Sequence, residues 1–407
     1  MTETMTGPRI LRGTMLIAGL ELKQRLRSRT LLVLAIVWFA VIGVVTLLAW
    51  AGITTSAAAY GGEADAFPLF SLIVYFVLLF GTLVAPAISA NAINSERAGA
   101  TLATTQVTLV HSWSIVLGKV LAAWATGIAF LVVALPFVLF SLALGKWQFS
   151  TLVLATLALA LQIGVFTAIG VGLSALITSP LFSIVVGYLV VAAFSVGTLI
   201  AFVLGLSIGT SYHDVETRQP TSEYWDELLA CQNEAGDDSD DYDACAETVP
   251  LQCETETYPV PYVPSDKLWW LLAANPYVVV ADSVPAHLDE WGGPADLFGI
   301  ISVGVRSLQL SDPADAAAFR DHCTPGGIGG PYGPLGEDTT DPLAGTVPVW
   351  WIGLGIELLL AGALLVAGER RVRTPARKLT RGTRIAQPER TPPDAVWPAP
   401  TGAGHTV

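Results

Sequence analysis

Six uninterrupted apolar runs dominate this chain: Thr30 to Ile53, Phe70 to Ile93, Ile115 to Leu142, Thr151 to Ile177, Leu181 to Leu206 and Val347 to Ala367. Each reaches or exceeds the ~20 residues a helix needs to cross a bilayer. In lipid the backbone finds hydrogen-bond partners only within its own segment, so each run is expected to be α-helical. Only 14% of the residues are charged, against roughly 25% in soluble domains. The first run is too long for the core of a cleaved leader and follows 29 residues, so it reads as a retained anchor.

Charge orients the runs. Sixteen of the 21 Lys and Arg residues precede the first run, follow the last, or sit at the rims of the loop between runs two and three (Arg97 and Lys119). Six crossings put these regions on one side, which the positive-inside rule makes cytoplasmic. Trp50, Trp147, Trp269, Trp270, Trp350 and Trp351 then fall near the outer interface, where indole rings prefer to sit. The expected fold is an all-α polytopic membrane protein of the plasma (inner) membrane, with both termini cytoplasmic. It has six transmembrane helices, an N-terminal interfacial helix and a large acidic extracytoplasmic domain between helices 5 and 6.

The chain divides accordingly. Residues 1–29 form a basic helix in which Leu11, Met15, Ala18, Leu22 and Leu26 recur at helical spacing among Arg12, Lys23, Arg25 and Arg27, a pattern that lies flat in a membrane interface. Residues 30–207 hold the first five spans and a cytoplasmic loop, 94–114. Residues 208–346 form the acidic domain, 347–367 the sixth span, and 368–407 a basic, Pro-rich tail that reads as disordered. Within the acidic domain, Leu268 to Val280 is too short to span and is broken at Asn275-Pro276, so a short helix or re-entrant element is expected.

The acidic domain carries 25 of the 34 acids and four bases, a net of −21, while the remainder is net positive. Its field concentrates cations and repels anions. The basic edge on the other side suits anionic headgroups, so membrane lipids are expected partners and nucleic acid is not. All four cysteines, Cys231, Cys245, Cys253 and Cys323, lie in this domain, as expected for two disulfides with three possible pairings. A zinc site would need a C-x2-C pair, which is missing, and His322 stands alone nearby. The run Asp237, Asp238, Asp240, Asp241 and Asp243 lacks the Gly and the closing Glu of a calcium loop and reads as a solvated charge run.

Catalytic groups are missing. There is no GxxxxGK[ST] phosphate loop, so ATP hydrolysis is not expected of this chain. No run holds a His, a Ser/His pair or paired Asp, which argues against an intramembrane hydrolase. No catalytic residue, metal or cofactor is therefore expected. Glu357 is the charged residue deep in a run, where a carboxylate costs at least ~2.5 kcal/mol. Two readings stand: a hydrogen bond to a neighbouring span, or a polar point on a substrate or proton path.

The loop after the second run is more specific. Glu96-Arg97-Ala98-Gly99-Ala100-Thr101-Leu102 leads into Thr108-Leu109-Val110-His111-Ser112-Trp113-Ser114-Ile115-Val116-Leu117-Gly118-Lys119. It resembles the cytoplasmic signature of ABC transporter permeases of the type-2 exporter class, a Glu-Arg-Glu-x-Gly-Thr-Leu start and a Thr-Pro-Val-Ser-x-Trp-x-Ile-Val-Leu-Gly-Lys finish, without a gap. Ala98, Ala100, Leu109 and His111 depart from it. Residues 21 to 29, the Gly172-Leu173-Ser174-Ala175-Leu176-Ile177 end of the fourth run and Leu271 to Tyr277 are also similar to that family.

The resemblance implies a permease subunit that forms the substrate pathway of an ATP-driven exporter. Two such subunits, a second copy or a paralogue, would meet around the pathway, each above a cytoplasmic ABC ATPase subunit. The implied coupling residues are Glu96, Arg97, Gly99, Thr101, Leu102, Thr108, Trp113, Gly118 and Lys119. Glu96 would meet a helix end or a basic residue of the ATPase, and Trp113 would supply an apolar anchor. The rival reading is a non-transporting receptor or scaffold whose acidic domain captures a cationic ligand or an extracytoplasmic protein.

Overall fold

A computed structural model describes residues 7–60, 67–98, 111–144, 149–235, 245, 248–288, 293–310, 320–321, 323 and 343–372. The six apolar runs are six helices long and apolar enough to cross a membrane. The elements in chain order are α1 (Gly7–Leu26), α2 (Arg29–Tyr60), α3 (Phe67–Ser89), the short α4 (Asn94–Ala98), α5 (Ser112–Leu144), α6 (Phe149–Leu176) and α7 (Pro180–Gly209). Then follow β1 (Ser211–Pro220), α8 (Ser222–Ala235), β2 (Cys253–Tyr262), α9 (Trp269–Ala273), α10 (Pro276–Asp282), α11 (Leu297–Ser307), β3 (Arg320–Asp321) and α12 (Trp350–Val372). The acidic run at 237–243, His322, Trp147 and the tail beyond 372 lie outside the described residues.

The central helix is α6, which packs against α3, α5, α7 and α12. Lipid tails are as apolar as leucine, so helices in a bilayer gain by close backbone approach rather than by exclusion of water. Gly172 and Gly368 supply that approach. A Cβ at Gly172 would stand 2.8 Å from Leu364 Cβ, and one at Gly368 would stand 2.6 Å from Ala175 Cβ. The sixth span is therefore seated on the fourth near the end where α1 lies. In contrast, α2 leaves Leu32, Val33, Ile36, Val44, Leu47 and Leu48 exposed, a face suited to lipid.

The broken stretch after residue 268 forms two short helices, α9 and α10, joined at Asn275. Pro276 occupies the first helical position of α10, where its missing N–H costs nothing. The break fits a matching irregularity. Span five, α7, contains a π-helical turn over Ala193–Gly197, which leaves its own ladder out of step. Asn275 Nδ2 donates to Ser195 O at 2.7 Å and to Thr198 Oγ1 at 3.0 Å, while its Oδ1 accepts from the Tyr277 N–H at 3.0 Å. Next along the chain, buried Asp282 accepts from Arg306 Nε and from the backbone N–H groups of Val349 and Trp350, the latter at 2.9 Å. It thus satisfies the orphan donors at the start of α12. At Gly353 any side chain would run into the Ala273 carbonyl, so α9 and α12 meet backbone to backbone.

The segment between α7 and α12 adds strands to this mostly helical fold. It holds a three-stranded sheet of order β2-β1-β3, with β1 antiparallel to β2 from Ser211 opposite Tyr262 to Pro220 opposite Cys253. Strand β1 buries Val215 and Thr217 on one face and turns its charged residues outward, the period-two pattern of a half-covered strand. The cysteines pair as Cys231–Cys245, tying α8 to the chain that follows it, and Cys253–Cys323, tying β2 to the far end of the segment. Tyr224, Leu228 and Cys245 form a small core under α8.

Two measurements check this arrangement. Peptide mapping without reductant is expected to recover the 231–245 and 253–323 linked pairs, and either alternative pairing would refute the connectivity. Asn275→Ala strips partners from the Ser195 carbonyl and the Tyr277 N–H, each a loss of about 1–3 kcal/mol where the group is buried. It is expected to lower the melting temperature of the detergent-solubilised chain. An unchanged melting temperature would show that the break does not hold span five.

Candidate functional site

Lys119 is the most deeply buried base in the described chain, at 1% exposure. It stands two turns into α5, and an ammonium out of water needs compensating charge. Its Nζ lies 2.6 Å from Glu96 Oε1 and 2.9 Å from Glu21 Oε1. Arg25, one helical turn beyond Glu21 on α1, approaches the same Glu21 oxygen at 3.8 Å. Among the described residues, two acids and two bases therefore meet where α1, α4 and α5 converge.

Each element is held in place by local chemistry. Helix α1 lies directly on α5: a Cβ at Gly118 would stand 2.8 Å from Ile17 Cβ and 3.1 Å from Thr14 O, so only glycine permits the approach. One turn earlier, Ser114 Oγ donates to Ile10 O at 3.0 Å. These contacts select the α1 face carrying Ile10, Thr14, Ile17 and Glu21. Leu11, Met15 and Leu26 of the apolar stripe remain exposed. On the other side, Ser174 at the end of α6 accepts from the Ile93 and Asn94 N–H groups at 3.0 and 3.2 Å. That anchors the start of α4 and sets Glu96 two residues later over Lys119.

Of the residues singled out from sequence, the structure brings together Glu96 and Lys119, with Gly118 making the seat for α1. Glu96 meets a base of its own chain. Lys119, read as a rim charge, is an interior one. Trp113 is half-buried at the start of α5, and its backbone N–H donates to His111 Nδ1 at 3.3 Å. Arg97 lies in α4, whereas Gly99, Thr101, Leu102 and Thr108 lie outside the described residues. Glu21 was missed, although one acid set among the bases of α1 was a visible signal.

Glu357 is placed elsewhere, on α12, as the eighth residue of a 23-residue helix and with no exposed surface. The adjoining polar group is the amide of Gln162 on α6, another fully buried side chain that sequence reasoning missed. The two do not meet at hydrogen-bonding geometry. Among the described residues no group of three or more His, Cys, Asp or Glu is arranged to hold a metal.

Six crossing-length helices, with polar groups buried where they meet, define a multi-pass membrane protein. The chain belongs to the ABC-2 family of transporter proteins, whose family model matches residues 15–233, more than half of its length. It is thus a permease of an ABC transporter, a membrane transport component. The match takes in Glu21, Glu96, Lys119 and Ser174 and stops before Asn275 and Glu357. Comparison with curated proteins gives no match.

A pair of substitutions separates the two buried acid sites. Lys119→Gln removes the base from between two carboxylates, and breaking a buried pair this way costs about 3–5 kcal/mol. A large drop in melting temperature is expected, with partial recovery when Glu96→Gln is added. Glu357→Gln removes a carboxylate that has no ionic partner among the described residues, so stability is expected to be unchanged or higher. Equal losses from Lys119→Gln and Glu357→Gln would contradict the distinction.

Proposed function

We propose that this chain is the pathway-forming subunit of an ATP-driven exporter. It works as a dimer with a second copy or a related permease, and a separate ABC ATPase docks beneath each subunit. Both termini and the segment 94–114 face the cytoplasm, and the acidic domain faces outward from the plasma membrane. The observation that carries this reading is the Lys119 cluster. A load applied to the segment containing α4 reaches α5 through the Glu96–Lys119 contact and α1 through the contact of Lys119 with Glu21. Half-buried Trp113, at the junction between that segment and α5, offers the apolar anchor that interface centres favour. Family membership supports transport over the rival reading of a non-transporting receptor or scaffold. The exposed stripe Leu11, Met15 and Leu26 supports an interfacial position for α1.

Trp113→Ala tests the coupling without touching the ion cluster. Normal membrane insertion is expected, with loss of ATPase copurification or of substrate-stimulated ATP turnover in liposomes. Orientation is checked in the same cells: a cysteine at Ser211 should react with an impermeant thiol reagent from outside, and one at Ser112 only after permeabilisation. Normal ATPase binding and turnover in Trp113→Ala would remove this junction from the mechanism, and outside labelling at Ser112 would invert the topology.

A further inference from the structure

Strand β2 is the outer member of its sheet, whose order is β2-β1-β3. One edge of β2 is taken by β1, and the prolines fix which backbone groups face the other. In the antiparallel register Pro261 lies opposite Tyr212, Pro259 opposite Asp214 and Cys253 opposite Pro220. Proline has no N–H to give a ladder, so these are the pairs that exchange no backbone hydrogen bonds. The bonded pairs are the alternate ones, and Thr221 N donating to Gln252 O at 2.9 Å continues that series. Glu254, Glu256 and Tyr258 therefore bond to β1. Cys253, Thr255 and Thr257 turn their backbone groups to the far edge, where no strand lies among the described residues.

This far edge is closed at one end and open at the other. Pro259 and Pro261 remove the donors from its second half, a common way in which natural edges are blunted. In the first half Thr255 and Thr257 keep theirs, and both residues are exposed, as are Glu254 and Glu256. The stretch from Cys253 to Thr257 is thus a short template for another strand. Its side chains select which strand fits. Glu254 and Glu256 stand on the sheet face that carries Val215 and Thr217, and Glu256 accepts from Gln219 Nε2 at 3.2 Å and from the Tyr258 hydroxyl. On the other face Arg218 stands opposite Thr255. An added strand would set every second side chain beside the two acids and the rest beside the threonines. The same edge of a second copy would set acid against acid, which disfavours self-pairing.

We propose that the edge of β2 from Cys253 to Thr257 binds an extended cationic peptide by strand addition, with Lys or Arg at every second position and neutral residues between. Backbone bonds to Thr255 and Thr257 hold the peptide, and its basic side chains lie beside Glu254 and Glu256. The negative charge of the surrounding segment draws cations toward the edge, and the alternation decides which of them stay. The outward placement proposed above would present this edge to peptides outside the cell, while the edge itself does not depend on that placement.

The test uses the full chain in an uncharged detergent and follows the fluorescence anisotropy of a labelled peptide, Thr-Lys-Val-Lys-Thr-Lys-Val. An isomer with the same residues and its lysines adjacent is the comparison. The alternating peptide is expected to bind about tenfold more tightly, the scale of one or two backbone hydrogen bonds held in register with the charges. N-methylation of one alternate set of its residues is expected to abolish binding, and of the other set to leave it nearly unchanged, because only one edge of an added strand faces β2. Thr255→Pro keeps every charge and, since the Thr255 N–H points away from β1, keeps the β1 ladder; it is expected to weaken binding about fivefold or more. Equal binding of the two isomers overturns the proposal in favour of plain charge attraction. Equal effects of the two methylation patterns, unchanged binding to Thr255→Pro, or no binding of the alternating peptide overturn it as well. If Thr255→Pro does not fold, the two methylation patterns on the native chain decide alone.

Discussion

A lysine ammonium enclosed between helices is the constraint on which one whole end of this bundle depends. Lys119 could not be buried without Glu21 and Glu96, and those two acids come from segments almost a hundred and more than twenty residues away in the chain. A buried ion pair seldom adds net stability over a well-packed apolar contact, because desolvation consumes most of the attraction. Its effect is selective. Once the lysine is inside, any arrangement that leaves it without a carboxylate is heavily penalised. The position of α1 on α5 and of α4 below α3 is therefore specified by charge, with Gly118 and Ser174 providing the room and the anchor.

The opposite side of the bundle is held by different means. Asn275 is neutral and serves two irregular backbones at once, while Asp282 closes the exposed start of α12. Both come from the short helical stretch between α7 and α12, so this segment is structurally continuous with the spans rather than appended to them. Tyr75 on α3 donates to the Tyr277 carbonyl, and Val280 and Phe298 share a core with α3. Two cysteine pairs then restrain the sheet and α8 beyond.

Much of this was legible in the sequence, and the reasons differ by feature. The six spans were legible because a bilayer imposes a length and a polarity that few other environments demand. Asn275-Pro276 was visible as an interruption, since proline cannot continue a helix interior. Its task was not visible, because the π-helical turn it serves leaves no compositional mark. Glu96 and Lys119 stood out, but their pairing did not, since nothing in a linear sequence says which acid a lysine 23 residues on will meet. The strands were hidden for a related reason. In β1 and β2 only Val215, Thr217 and Tyr262 are buried, too thin an alternation to rise above the surrounding acids. Cysteine pairing was left open among three connectivities because sequence carries the count and the compartment but not the geometry.

The contrast between the two ends has a mechanical consequence for the proposed coupling. Capping hydrogen bonds, close backbone contact at Gly353 and covalent cross-links all fix positions to within a narrow range, and none can be exchanged for another partner. An ion cluster is different. Lys119 has two carboxylates within reach, Glu21 has two bases, and a shift of α4 against α1 could transfer the ammonium from shared to single partnership without exposing an uncompensated charge. Bistable movement needs two arrangements of similar energy, and a shared ion cluster supplies them where a packed apolar seam does not. In this reading ATP-driven movement enters at the end where partners can be exchanged, and the end with fixed partners gives the spans a pivot to turn against.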